Sequence, residues 1–191
     1  MGKVNRPRRA IDVRDCASIM ELMHSLKFPL AVSLLAALAY AYCTWVFARD
    51  LPAHVATHFD ATGRATGWMT RSGSIAFELA LGLGVQVFIA LVCWLARHLA
   101  PARVNIPNKQ YWHQPEHFPR ACAMIFRQSL WLGSLIAVWL ILLNYQVRQA
   151  NLVVPAHLNP GGFLCAMGTF LVMLLWWIIV LLRLFRIPTP R

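Results

Sequence analysis

The chain has 191 residues, of which 59% are hydrophobic and 13% charged, whereas soluble domains lie near about 45–50% and about 25%. That balance excludes an ordinary water-soluble globule and makes the bilayer the expected solvent. The net charge of +11 alternates along the chain with apolar runs and comes with no nucleic-acid recognition motif, so no nucleic-acid partner is expected.

In chain order, residues 1–10 read as disordered, and Ile11 to Leu26 reads as an amino-terminal interfacial helix with Ile19, Leu22 and Met23 on its apolar side. Together residues 1–27 form an amino-terminal segment. The first long apolar run is Phe28 to Phe47. Ala37-Leu38-Ala39 resembles a signal-peptide cleavage site, but the run continues for eight residues beyond it, which favours an uncleaved signal anchor.

The polar stretch from Leu51 to Arg71 follows. His54 and His58 are four residues apart, so a helical turn would place both imidazoles on one face, with Asp60 two residues on. With His157 from a later loop these side chains form a candidate metal set, although Val55 stands where a zincin motif needs its Glu. Asp60-Ala61-Thr62-Gly63 and Thr66-Gly67 carry turn chemistry, and Trp68 suits re-entry at the headgroup boundary. The stretch therefore reads as a compact hairpin or turn clamped between two helix ends. Structural anchoring is the favoured role of its histidines, metal binding the alternative, and no cofactor is predicted.

The second run, Ile75 to Ala96, contains Glu78 and Gln86. Ionisable groups within a span are functional candidates by default. Glu78 lies near the end of the run, where a structural or interfacial role is expected, while Gln86 is nearer mid-bilayer and should bond another helix. Gly82 and Gly84 offer sites of close helix approach. In the next connection, Asn105, Pro107, Asn108 and Pro115 prevent a continuous helix, and Tyr111 and Trp112 are expected at the interface.

The third run, Leu130 to Tyr145, is short for a bilayer core of roughly 30 Å and is expected to extend over about 127–146. Ser129, Gly133 and Ala137 recur along it at the spacing that lets a neighbouring backbone approach. The fourth run is Phe163 to Leu182, leaving 186–191 as a short tail. Cys43 and Cys165 fall near the same ends of their spans, so a bridge is geometrically conceivable, but free packing thiols are the expected state.

Of the 18 Lys and Arg, six precede Phe28, five lie from Arg97 to Arg127 and three follow Leu182. The positive-inside rule then places both termini and the middle connection in the cytoplasm, and the two His-containing loops outside. The expected fold is all-α: a single four-transmembrane-helix bundle over 28–185, with spans near 28–47, 75–96, 127–146 and 163–182.

Two ordered motifs carry a family likeness. Pro52, His58, Phe59, Gly63 and Trp68 form a Pro-x5-His-Phe-x3-Gly-x4-Trp loop. After one helix, Asn105, Pro107, Asn108, Tyr111, Trp112, Pro115 and Glu116 form an Asn-x-Pro-Asn-x2-Tyr-Trp-x2-Pro-Glu segment. Over about residues 28 to 145 the chain resembles the DUF1648 family of bacterial membrane proteins, and more distantly the SdpI immunity proteins, which act as receptors for a secreted toxic peptide. The resemblance implies a multi-pass protein of the bacterial inner membrane, and because the chain carries no convincing nucleophile and base pair, an enzyme is not expected. It would act as a receptor, immunity factor or accessory subunit through its outer and inner polar loops. A peptide ligand or membrane-protein partner is implied, and self-association into a homo-oligomer is compatible with it. The alternative function is metal binding or transport through His54, His58, Asp60 and His157, with Glu78 beneath them.

Overall fold

The structure is a computed structural model in which residues 13–187 are described, with side chains from Leu26 onward. It is mostly helical, in the order α1 (Val13–Ala48), β1 (His54–Phe59), β2 (Ala65–Thr70), α2 (Arg71–Leu95), α3 (Lys109–Trp112), α4 (Phe118–Asn151) and α5 (Pro160–Leu184). Four of these helices are long and apolar enough to cross a membrane: Leu26–Ala48 of α1, α2 with the 3-10 turn that follows it, α4 and α5. The all-α expectation needs one correction, because β1 and β2 pair as an antiparallel hairpin between α1 and α2.

Chain direction alternates, so the hairpin and the 152–159 loop share one end of the molecule, and the 96–117 connection and the end of α5 share the other. The helix expected over Ile11 to Leu26 is continuous with the first span from Val13 onward; Ile11, the disordered stretch expected at 1–10 and the last residues of the tail lie outside the described residues. Pro29 is buried within α1 without ending it.

α4 differs most from the 127–146 expectation. It runs for 34 residues, because the polar residues that interrupt its apolar run (Arg127, Gln128, Gln146, Arg148) are accommodated in the helix instead of ending it. Pro119 near its start suits a first turn, whose N–H groups have no helical partner in any case. Caps fix two other starts. Thr70 Oγ1 accepts from the Gly73 N–H at 3.2 Å, and Asn159 Oδ1 accepts from the Gly162 N–H at 3.2 Å.

Large apolar side chains face outward along the spans, among them Leu35, Leu38, Val87, Phe88 and Val172, as a lipid solvent allows. The interior is built around α4, which packs against α1, α2 and α5. Ser129, Gly133 and Ala137 are buried, and Gln86 of α2 lies against Gly133. Gly82 leaves room for the Tyr40 ring, which a Cβ would meet at 2.3 Å, whereas Gly84 faces open space and mediates no close approach. α5 is peripheral: 6% of its apolar window is buried, and it packs on α4 without comparable contact to α1 or α2. Cys43 and Cys165 are free thiols, not a bridge.

Candidate functional site

The hairpin is held by a side chain that sequence reasoning missed. Ladder bonds alternate along an antiparallel pair, and the Arg71 N–H donates to the Ala53 carbonyl at 2.9 Å, so Ala56 and Trp68 fall opposite each other as a non-hydrogen-bonded pair. Their backbone groups point away from the partner strand. On the β1 side, Asn151 at the end of α4 fills that need: its amide accepts from Ala56 N–H at 2.7 Å and donates to the Ala56 carbonyl at 2.9 Å. The same amide donates to its own helix at Val147 O, 2.9 Å away. Val55 and Ala56 are fully buried beneath it.

The tip of the hairpin is anchored independently. Asp60 Oδ1 accepts from the Thr62 hydroxyl at 2.7 Å and from the backbone N–H groups of Thr62 and Arg64 at 2.9 and 3.0 Å. These bonds, the Thr62 hydroxyl foremost, hold its carboxyl below the usual carboxylate range. Gly63 adopts φ +88°, and a Cβ there would stand 2.1 Å from the Leu158 carbonyl. The close approach lets the Leu158 N–H donate to Gly63 O at 2.8 Å, while Arg64 and His157 form an isolated antiparallel bridge. A cross-link from Arg148 to Asp50 ties the chain before β1 to α4.

These contacts re-place the histidines. His54 and His58 lie on a strand, not a helical turn, with a register shift between Ala56 and His58. Gly67 makes room for His58, whose Cβ a glycine Cβ would meet at 3.2 Å, and His58 Nδ1 bonds the Thr57 hydroxyl at 3.1 Å. His157 reaches the tip at Gly63 and Arg64. Among the described residues no three His, Cys, Asp or Glu side chains gather as a metal-binding group. Pro52, His54, His58, Asp60 and Trp68 are exposed and Phe59 half-buried. Pro52 also accepts from Arg71 Nε through its carbonyl, at 3.3 Å.

Below the hairpin lies a set of polar contacts, two of them between spans. Asn144 of α4 donates to the Thr44 hydroxyl at 3.0 Å, Tyr40 donates to the Glu78 carbonyl at 2.6 Å, and the Ser74 hydroxyl donates to Glu78 Oε1 at 3.0 Å. Gln86 does not bond another helix as expected. Gly133, which faces it, brings no side chain to pair with, so Nε2 donates back to Gly82 O at 3.2 Å and Oε1 is buried with no partner among the described residues.

At the opposite end the second motif turns inward. Asn108 takes a left-handed conformation, φ 53°, which Asn tolerates better than most residues. Its side chain donates to the Phe185 carbonyl at 2.8 Å, and the Trp112 indole donates to the same oxygen at 3.0 Å. Trp112 is therefore buried at 3% exposure rather than seated at the interface, with its ring edge-on to Phe185. Tyr111 stacks on His117 with centroids 4.1 Å apart, and a His113 ring nitrogen bonds Val104 O at 2.9 Å. Asn105, Pro107, Pro115 and Glu116 are exposed.

Residues 34–82 match the family model DUF1648, described as a domain of unknown function. The matched segment holds the hairpin, Tyr40, Glu78 and Gly82, and ends before the Asn105 to Glu116 motif. No curated protein and no solved structure matches the chain.

Proposed function

We propose that this chain is a non-enzymatic integral membrane protein of a bacterial inner membrane, and that it uses the β1–β2 hairpin to recognise a peptide or membrane-protein partner. In this reading both termini and the 96–117 connection are cytoplasmic and the hairpin faces outward, as the charge distribution favours. The role is that of a receptor, immunity factor or accessory subunit.

The observation that carries it is the asymmetry of the hairpin's two edges. The β1 edge is closed by Asn151, whereas among the described residues the outer edge of β2 is met only beside its start, by the Arg64–His157 bridge. The outward backbone groups of Trp68 thus have no partner among the described residues, and they lie beside an indole that is 58% exposed. An ordered open edge with an aromatic anchor suits an extended segment added as a third strand. A photo-crosslinking residue at Thr66, beside that edge, should give a discrete adduct in native membranes that Trp68→Ala abolishes. A Thr66 probe that behaves like a control probe at lipid-facing Phe88 overturns the proposal. Orientation is tested by a single cysteine at Arg64, which should react with an impermeant reagent from outside; reaction from the cytoplasmic side alone reverses the topology.

A further inference from the structure

Because α5 packs on α4 and splays from α2, a partly open cleft of about 390 Å³ lies between them at the end that holds the second motif. That volume falls within the range of about 300–1,000 Å³ typical of small-ligand sites. Its walls are apolar along most of their length, with Val92 on α2, Leu132 on α4, and Trp177 and Leu181 on α5. Polar groups are few and placed: Gln128 and Ser129 at depth, Arg103 and Asn105 on the connection.

The cleft is held open by bonds rather than left by loose packing. The Trp177 indole donates to Gln128 O at 3.2 Å, fixing α5 on α4 at the back of the cleft. The Asn108 and Trp112 donors fix the end of α5 at Phe185, which also lines the cleft. Neither tie brings α5 to α2. The charge at this end is predominantly positive: from Arg97 to Arg127 five Lys and Arg stand against Glu116 alone.

We propose that this cleft binds an anionic membrane lipid, with one acyl chain between α2 and α5 and the headgroup received by Arg103 and Asn105. The surrounding solvent supplies the ligand. Apolar walls between spans accept a methylene chain, and a basic group at the rim selects a negative headgroup over a zwitterionic one. Nothing in this proposal depends on the hairpin.

The test uses the full chain purified in mild detergent, with lipid retention read by native mass spectrometry and stability by thermal unfolding. Phosphatidylglycerol should be retained and stabilising, phosphatidylcholine less so, and inorganic phosphate without effect. Arg103→Gln, an exposed change that leaves the packing intact, should reduce the preference for phosphatidylglycerol about fivefold, the equivalent of one basic residue near an anionic surface. Leu132→Trp should fill the cleft and reduce retention of both lipids; if it fails to fold, Leu181→Trp serves from the opposite wall. Equal retention of the two lipids by the unaltered chain, or an unchanged preference in Arg103→Gln, overturns the headgroup assignment and with it the site. A stabilisation reproduced by inorganic phosphate alone overturns the acyl-chain site.

Discussion

The two ends of this molecule each carry Pro, His and Trp in a polar segment, yet they use them in opposite ways. At the hairpin end β1 is held from another element by Asn151 and the tip by Asp60, and the motif's own His58 and Trp68 remain exposed. At the other end the motif supplies the donors itself: Asn108 and Trp112 turn inward to the carbonyl of Phe185. The difference separates display from scaffolding. A surface free for partners arises where another element closes the backbone, and a motif spent on closing a helix end has fewer groups left to show.

The sharpest break of that contrast is Asn151→Ala. It removes both partners of the buried Ala56 peptide groups and should destabilise by about 2–6 kcal/mol, since each buried unsatisfied group costs about 1–3 kcal/mol. Thermal unfolding, with amide exchange at Ala56, measures it. An unaltered melting temperature and unaltered exchange would mean that the strand does not depend on α4.

Trp112→Phe is the matching change at the opposite end and should be milder. It deletes one indole donor while Asn108 still serves the same oxygen, so a loss of about 1 kcal/mol is expected, the usual net contribution of one hydrogen bond. A double-mutant cycle with Asn108→Ala should show coupling, because the second removal leaves the Phe185 carbonyl with neither donor. Strict additivity in the cycle would argue against a shared clamp.

The smallest effect is one of pH. The carboxyl of Asp60 is held below its usual range by Thr62 and Arg64, so its contribution to the hairpin tip is present above the ordinary Asp pKa and is lost as pH falls through the depressed value. Amide protection at Thr62 and Arg64 should therefore persist at pH values near about 4, where an ordinary Asp is half protonated, and fall below that. Asp60→Asn should flatten the profile. A profile identical in both proteins would detach the tip from this carboxylate.

Hydropathy and charge alternation made the four long apolar helices legible, because lipid-facing surface demands nearly continuous apolar sequence. The hairpin was only half legible. Its glycines and Asp60 signal a turn, but His54 and His58 at four-residue spacing fit one face of a strand as well as of a helix. What holds the strand is Asn151, ninety-five residues from Ala56 and beyond the end of the third apolar run. Trp112 shows the same limit. Aromatic residues near span ends are ordinarily interfacial, and its burial depends on Phe185, a partner 73 residues later. Gln86 departed from expectation because whether an amide pairs across helices depends on the residue opposite, which hydropathy does not reveal.

The length of α4 has a mechanical consequence. At about 1.5 Å per residue its 34 residues make a rod of about 50 Å, well beyond a hydrocarbon core of roughly 30 Å. Asn151 fastens the hairpin near one tip of the rod, while Ala121 and Cys122 near the other pack into the cluster that contains Trp112. Where a thinner bilayer makes α4 tilt, both attachments must swing with it, in opposite directions about the midplane. A tilt of α4 therefore reaches the hairpin and the Trp112 cluster together, because the same rod carries both.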